Sequence, residues 1–270
     1  MIVRRVNHDW LKRMVAHRIA DRSILRLIHR WLRAGVMDAG VVVRTEEGVP
    51  QGGPISPLLA NIYLHFVLDL WFEKVVSVQC RGEARPVRFA DDFVACFQYE
   101  GDAKRYGRTL KGRMAKFGLS LSPEKTRRIL FGRFAAERLG KFGKKPEEFV
   151  FLGFRHICET DRRGRYAVIR LPSQKALRRF RDRVRTWLWD HMHWKVRDQQ
   201  HRLALMLRGF YAYFALPHCC PKLEAVHYDV MRQWRKVLLR RSQRSRTHWS
   251  YLTKQPWFRL PTPVSLHGTV

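Results

Sequence analysis

Arg88-Phe89-Ala90-Asp91-Asp92-Phe93-Val94-Ala95-Cys96-Phe97 sets two adjacent carboxylates at the joint between two apolar runs. The flanks, 86–89 and 93–97, are short and rich in β-branched and aromatic residues, with a compact polar pair between them. That pattern predicts a β-hairpin with the carboxylates at its tip. Two like charges this close repel each other unless a cation lies between them. A hard divalent ion is such a cation. Mg²⁺ takes one or two carboxylates, keeps several waters and bridges to substrate phosphate, and a hairpin tip leaves those positions open. On the pair alone, a solvated Asp-Asp turn is the alternative reading.

Composition narrows the partner. The chain's 270 residues carry 53 Lys plus Arg against 23 Asp plus Glu, a formal net charge of +30 and a pI near 11.0. Such a field attracts polyanions. With 46% hydrophobic and 12% aromatic residues, the chain has enough apolar surface to fill a core, which excludes a disordered basic tail. A change of amphipathic polarity near residue 170 predicts two domains, 1–170 and 171–270. The longest apolar stretch, 57–72, is broken by Asn61, His65 and Asp69, so it predicts a buried helix and not a membrane span. No apolar run suited to a secretory signal follows Met1-Ile2-Val3-Arg4-Arg5. The five cysteines, at 80, 96, 158, 219 and 220, contain no Cys-x-x-Cys pair. A reducing, cytoplasmic setting without a membrane partner is expected.

In chain order, Asn7 reads as the N-cap of a helix burying Trp10, Leu11, Met14 and Val15. Asp21 caps a second helix, with Ile24, Leu25, Ile28, Trp31 and Leu32 as its buried stripe and Gly35 as its end. Val41-Val42-Val43 reads as a strand. Residues 48–57 form a loop stiffened by proline, in which Gly52 and Gly53 allow close backbone approach to a ligand and Gln51 offers a donor and an acceptor; plain turn chemistry also accounts for it. Beyond the hairpin, 102–117 is a basic amphipathic helix with Ala103, Tyr106, Leu110, Met114 and Phe117 inward and Lys104, Arg105, Arg108, Lys111 and Arg113 outward. Strands are expected at 149–154 and 166–169, and a domain boundary at Leu171-Pro172-Ser173.

Taken together, Pro50-Gln51-Gly52, then Ser56-Pro57-Leu58-Leu59-Ala60-Asn61-Ile62-Tyr63-Leu64, then Arg88-Phe89-Ala90-Asp91-Asp92 resemble the palm of reverse transcriptases encoded by bacterial group II introns. Gly118-Leu119-Ser120-Leu121-Ser122-Pro123-Glu124-Lys125-Thr126 resembles that family's next motif, and Phe151-Leu152-Gly153-Phe154 its primer-gripping segment. Leu207-Arg208-Gly209-Phe210-Tyr211-Ala212-Tyr213-Phe214 resembles its thumb, or maturase, region. The resemblance implies a mixed α/β (α+β) right-hand polymerase palm with a β-hairpin active site, followed by a mostly α-helical thumb or maturase domain. It further implies nucleotidyl transfer to a primer 3′-hydroxyl by two metal ions roughly 3.5–4 Å apart. Asp91 and Asp92 would bind Mg²⁺, with Lys125 steadying or protonating the leaving pyrophosphate. Gln51, Gly52 and Phe89 would lie at the template and nucleotide, and Leu152 and Gly153 at the primer. Phe89 stands where tyrosine is usual, so the ring is kept and the hydroxyl lost. The implied partners are a template or intron RNA, a DNA primer and dNTPs.

In that family a further metal-binding carboxylate stands on a palm strand shortly before the segment resembling Asn7-His8-Asp9-Trp10-Leu11, a position that falls before Met1. The expectation is a truncated palm and thumb without fingers. Three readings stay open: an RNA-directed DNA polymerase, its fingers supplied by a separate N-terminal fragment; a non-catalytic, maturase-type splicing cofactor that binds intron RNA; and a degenerate gene fragment.

Residues 171–270 hold 20 Lys plus Arg against 5 Asp plus Glu and six of the nine tryptophans. Arginine forks grip phosphate, and aromatic rings suit structured RNA. Arg178, Arg181, Arg185, Arg235, Arg240 and Arg241 are the expected RNA contacts, with Trp234 and Trp249 interleaved among the later ones; taken singly, each tryptophan reads first as core packing. His191, His193, His218, Cys219 and Cys220 fit no closed zinc spacing.

Overall fold

Asn7 caps the first helix as expected, its side-chain oxygen accepting from the amides of Asp9 and Trp10 at 3.0 and 3.1 Å. The computed structural model describes residues 6–33, 36–38, 41–43, 55–161, 163–241 and 248–265. These form a mixed helix-and-sheet protein in two compact units, Met1–Arg128 and Ile129–Val270.

In the first unit, α1 (His8–Ala16) and α2 (Arg22–Arg33) precede a short antiparallel pair, β1 (Val36–Asp38) and β2 (Val41–Val43). Asp21 caps α2, accepting from the amide of Ser23 at 2.7 Å. The stripe on α2 is narrower than expected: Ile28 and Leu32 are buried, but Ile24 and Trp31 are exposed. Among the described residues, the unit's core covers α2 along one edge only.

The apolar stretch becomes one long helical run. It starts as α3 (Ser56–Leu64), passes through π-helical segments at His65–Asp69 and Phe72–Val76, and ends in α4 (Ser77–Gln79). The hairpin follows as β3 (Ala84–Phe89) and β4 (Asp92–Phe97), then α5 (Glu100–Lys116). Leu59, Tyr63, Val67 and Phe72 meet Leu110, Met114 and Phe117 in the core, with Phe93, Ala95 and Phe97 of β4 packed against it. The alternation of β4 therefore lays one hairpin face on the helices and leaves the other open. Arg113 was expected outward. It instead turns in to donate to the carbonyls of Val67 and Phe66 at 3.0 and 3.2 Å, meeting backbone acceptors in the widened π turn.

In the second unit, α6 (Ala135–Gly140) leads into an antiparallel sheet of β5 (Phe149–Phe151), β6 (Phe154–Thr160) and β7 (Tyr166–Pro172), with β6 central. Residues 149–154, read as one strand, are thus two strands and a turn, because Leu152 and Gly153 both take positive φ and reverse the chain.

Helices α7 (Gln174–Asp190), α8 (Val196–Phe214) and α9 (Cys220–Arg240) build the core, closed by α10 (Trp249–Leu252) and a 3₁₀ turn at Pro256–Phe258. Leu177, Phe180, Val184 and Leu188 are buried as their helical spacing predicts. Fully buried Gln199 donates to the carbonyls of His191 and Met192 and accepts from the indole of Trp234 at 2.9 Å.

Compactness divides the chain after Arg128, whereas the expected boundary near 170 marks the change from sheet to helix inside the second unit. Phe154 and Leu171 of the sheet pack against the helical core, and the Cys219 thiol donates to the carbonyl of Arg170 at 3.1 Å. These ties bind the sheet to the helices that follow it.

Candidate active site

The β3–β4 ladder pairs Phe89 with Asp92, so Ala90 and Asp91 form a two-residue turn. Ala90 has φ 52°, while Asp91 is not among the residues at positive φ. That combination is the type II′ pattern, whose first central position usually belongs to glycine. The alanine is held there by Arg88. Its guanidinium donates to the Ala90 carbonyl at 2.9 Å, to Asn61 Oδ1 at 2.9 Å and, as a fork, to Asp69 Oδ1 and Oδ2 at 2.7 and 2.5 Å. Arg88 is largely covered, and a bidentate pair of this kind sets direction as well as attraction. The turn is thereby fixed to the long helix through two of its side chains, Asn61 and Asp69.

Asp69 also lies 3.4 Å from Nδ1 of His65. Asn61, His65 and Asp69 are spaced by four, which places them on one helical face. In the sequence His65 and Asp69 read only as interruptions of an apolar run, and Asn61 also as part of the motif at 56–64. The signal that marks them as a site was that spacing, together with an arginine directly before the hairpin tip.

Asp91 and Asp92 are both exposed, and neither has an ion-pair partner among the described residues. Asp69 is committed to Arg88, so it does not complete a triad; among the described residues no group of three His, Cys, Asp or Glu is placed to hold a metal ion. Two exposed, adjacent carboxylates still fit a hard divalent cation that draws its other ligands from water and substrate phosphate.

The remaining predicted residues are placed as follows. Phe89 is exposed beside the turn. Lys125 is exposed in a turn where its amide donates to the Ser122 carbonyl at 3.2 Å. Gln51 and Gly52 lie outside the described residues. Leu152 and Gly153 form the β5–β6 turn in the second unit.

Each of the six arginines of that unit expected to contact RNA has a partner, while Arg178 and Arg185 stay exposed. Arg181 of α7 pairs with Asp229 of α9 at 2.7 Å, while Arg185 and Arg178 reach Asp182 at 3.0 and 3.8 Å. Arg240 lies over the ring of Trp189 at 4.8 Å, Arg241 reaches the His193 carbonyl at 3.5 Å, and Arg235 is also partnered. Trp234 is fully buried and stacks on Phe258, so its role is core packing. Trp249 is partly buried beside the same ring. Exposed tryptophans do occur in this unit, at 189 and 194.

Residues 3–156 match the family profile described as reverse transcriptase (RNA-dependent DNA polymerase). Protein YkfC of Escherichia coli (strain K12) is 29% identical over 199 residues, which cover 68% of this chain and 52% of that protein. Group II intron-encoded protein LtrA of Lactococcus lactis subsp. cremoris is 42% identical over 69 residues, 24% of this chain and 12% of LtrA. The putative COX1/OXI3 intron 1 protein of Saccharomyces cerevisiae is 32% identical over 81 residues, 30% of this chain and 10% of that protein. The chain thus spans about half the length of YkfC and about a tenth of the other two. No helix among the described residues is long and apolar enough to cross a membrane. With its profile match extending over more than half the chain and its paired carboxylates on a clamped hairpin turn, the chain belongs to the reverse transcriptase family, with group II intron-encoded proteins among its relatives.

Proposed function

We propose that this chain carries the palm and thumb of a group II intron reverse transcriptase, an RNA-directed DNA polymerase that extends a DNA primer along an RNA template with dNTPs. The observation that carries the proposal is the exposed Asp91–Asp92 pair, without an ion-pair partner among the described residues, on a turn that Arg88 fixes to the long helix. Asp91 and Asp92 are the residues that would hold Mg²⁺, which would stabilise charge on the attacking and leaving oxygens. Exposed Phe89 offers a ring at the primer end, and Lys125 an exposed cation for the leaving pyrophosphate. A net charge of +30 draws the nucleic acid to the protein.

The test is primer extension on an RNA template with Mg²⁺, comparing the chain with its Asp91→Ala/Asp92→Ala variant. Extension should fall at least about 10³-fold in the variant, roughly 4 kcal/mol of transition-state stabilisation. Extension by neither protein, with tight and salt-sensitive RNA binding by both, would overturn the polymerase reading in favour of a maturase-type RNA-binding protein.

A further inference from the structure

The turn between β5 and β6 has anchors that its own hairpin does not supply. Leu152 and Gly153 have φ of 50° and 79°, and the first is a region that a residue with a branched side chain seldom enters. The carbonyls of both residues are taken up from outside the hairpin. The hydroxyl of Tyr213, in the last turn of α8, donates to the Leu152 carbonyl at 2.8 Å. The amide of Ser173, whose Oγ caps α7, donates to the Gly153 carbonyl at 2.8 Å. Around these bonds the rings close. Phe154 stacks on Tyr213 with centroids 5.5 Å apart and leans on Phe214 at 4.9 Å. A Cβ at position 153 would come within 3.4 Å of Phe214.

The ring stacking would be served equally well by phenylalanine at 213. The hydroxyl has one protein partner among the described residues, the Leu152 carbonyl, so its contribution is directional: it aims the tip of the turn. Tyr213 itself is about half exposed, at 53%. Its position is set by the stack on Phe154, and water is free to replace its hydrogen bond without collapse of the core.

We infer that Tyr213 is a positioning residue for recognition of a primer 3′ end. In this role its hydroxyl ties the Leu152–Gly153 turn to α8, so that the turn and the helical core hold the end as one piece. This rests on the reading of that turn as the primer-gripping segment. It assigns Tyr213 a role through the backbone it holds, and predicts an effect on end recognition separate from general affinity for nucleic acid.

The experiment measures binding of an RNA–DNA hybrid with a recessed primer 3′ end, and of the same hybrid made blunt, by fluorescence anisotropy without nucleotide. The full chain is compared with Tyr213→Phe, and thermal unfolding is recorded on the same samples. Wild type should prefer the recessed end. Tyr213→Phe should lose up to about fivefold in affinity for it, the ceiling set by one neutral hydrogen bond, with blunt-hybrid affinity unchanged and melting temperature lowered by no more than about 4 °C. An equal loss on both hybrids, no loss on either, or a wild type without end preference overturns the inference. Failure of primer extension with the end preference intact would sink the catalytic reading alone.

Discussion

The hairpin of the first unit and that of the second turn through the same local difficulty. Each places a non-glycine residue at positive φ, Ala90 at 52° and Leu152 at 50°, and in each a side chain captures that residue's carbonyl, at 2.9 and 2.8 Å. The chemistry of capture differs. At Ala90 it is a guanidinium from the hairpin itself, locked to a carboxylate on the long helix. At Leu152 it is a neutral phenol that arrives 61 residues later in the chain. A charged clamp brings a permanent positive charge beside a turn that presents two carboxylates. A neutral anchor adds no charge and instead joins the turn to the aromatic packing of Phe154 and Phe214. The pair shows that turn position can be specified locally by electrostatics or remotely by packing.

The sharpest way to break this contrast is Arg88→Ala. It strips the guanidinium from partly covered Asp69 and leaves the Ala90 carbonyl without its donor, which should cost the first unit about 3 kcal/mol in urea unfolding. Arg88→Lys should recover only a minority of this, because an ammonium cannot reproduce the fork. Equal loss in the unfolding of both units would show that the clamp is not local.

The neutral counterpart is Gln199→Leu, which orphans the Trp234 indole and the Met192 carbonyl and, among the described residues, leaves the His191 carbonyl with the Trp194 amide alone. The second unit should lose about 2–3 kcal/mol, with little dependence on salt, since no ion pair is removed. A strong salt dependence would contradict the neutral character of this anchor.

Alkaline pH probes a buried phenol of the first unit. Burial pushes the Tyr63 hydroxyl up to about 12, and that hydroxyl donates to the Phe117 carbonyl at 2.7 Å. A raised acid holds its proton better when folded. The stability it contributes is therefore complete below pH 10, the unfolded value, and is lost as pH climbs from 10 towards 12, by about 2 kcal/mol. Tyr63→Phe should flatten that part of the stability curve, as followed by the fluorescence of the first unit's tryptophans; an unchanged slope would assign the loss to other groups.

The smallest effects probe the turns directly. Ala90→Gly and Leu152→Gly each relieve a strained φ, worth about 1 kcal/mol before the entropy that glycine adds to the unfolded chain. Net gains of a few tenths of a kcal/mol are expected in both. A clear gain at one turn only would show that the two captures do not offset the strain equally.

Much of the candidate site was legible. The hairpin was read from two apolar runs around Asp91-Asp92, and β3 and β4 fall within two residues of the expected flanks. Asn7 and Asp21 were legible as caps because capping is a contact between near neighbours. What escaped was contact between distant segments. Arg113 was read as outward from helical spacing alone, but the carbonyls it reaches belong to a π segment 46 residues earlier. For Trp234 core packing is the favoured reading of the residue taken singly, and it is buried; what the charged neighbours in sequence do not name are its neighbours in space, Gln199 and Phe258.

The sequence by itself determined the family, the paired carboxylates at a hairpin tip, the strongly basic character and the helical stripes of the second unit. Each of these is written in residue type and short-range spacing. Only the tertiary structure decided that Arg88 meets Asp69 and Asn61, that Arg181 is paired with Asp229, that the sheet of 149–172 belongs with the helices after it, and that Tyr213 holds the Leu152 turn. Periodicity tells which face of an element is apolar. It carries no information on which partner that face, or a long polar side chain beside it, will meet, because that choice is made by the joint packing of segments far apart in the chain.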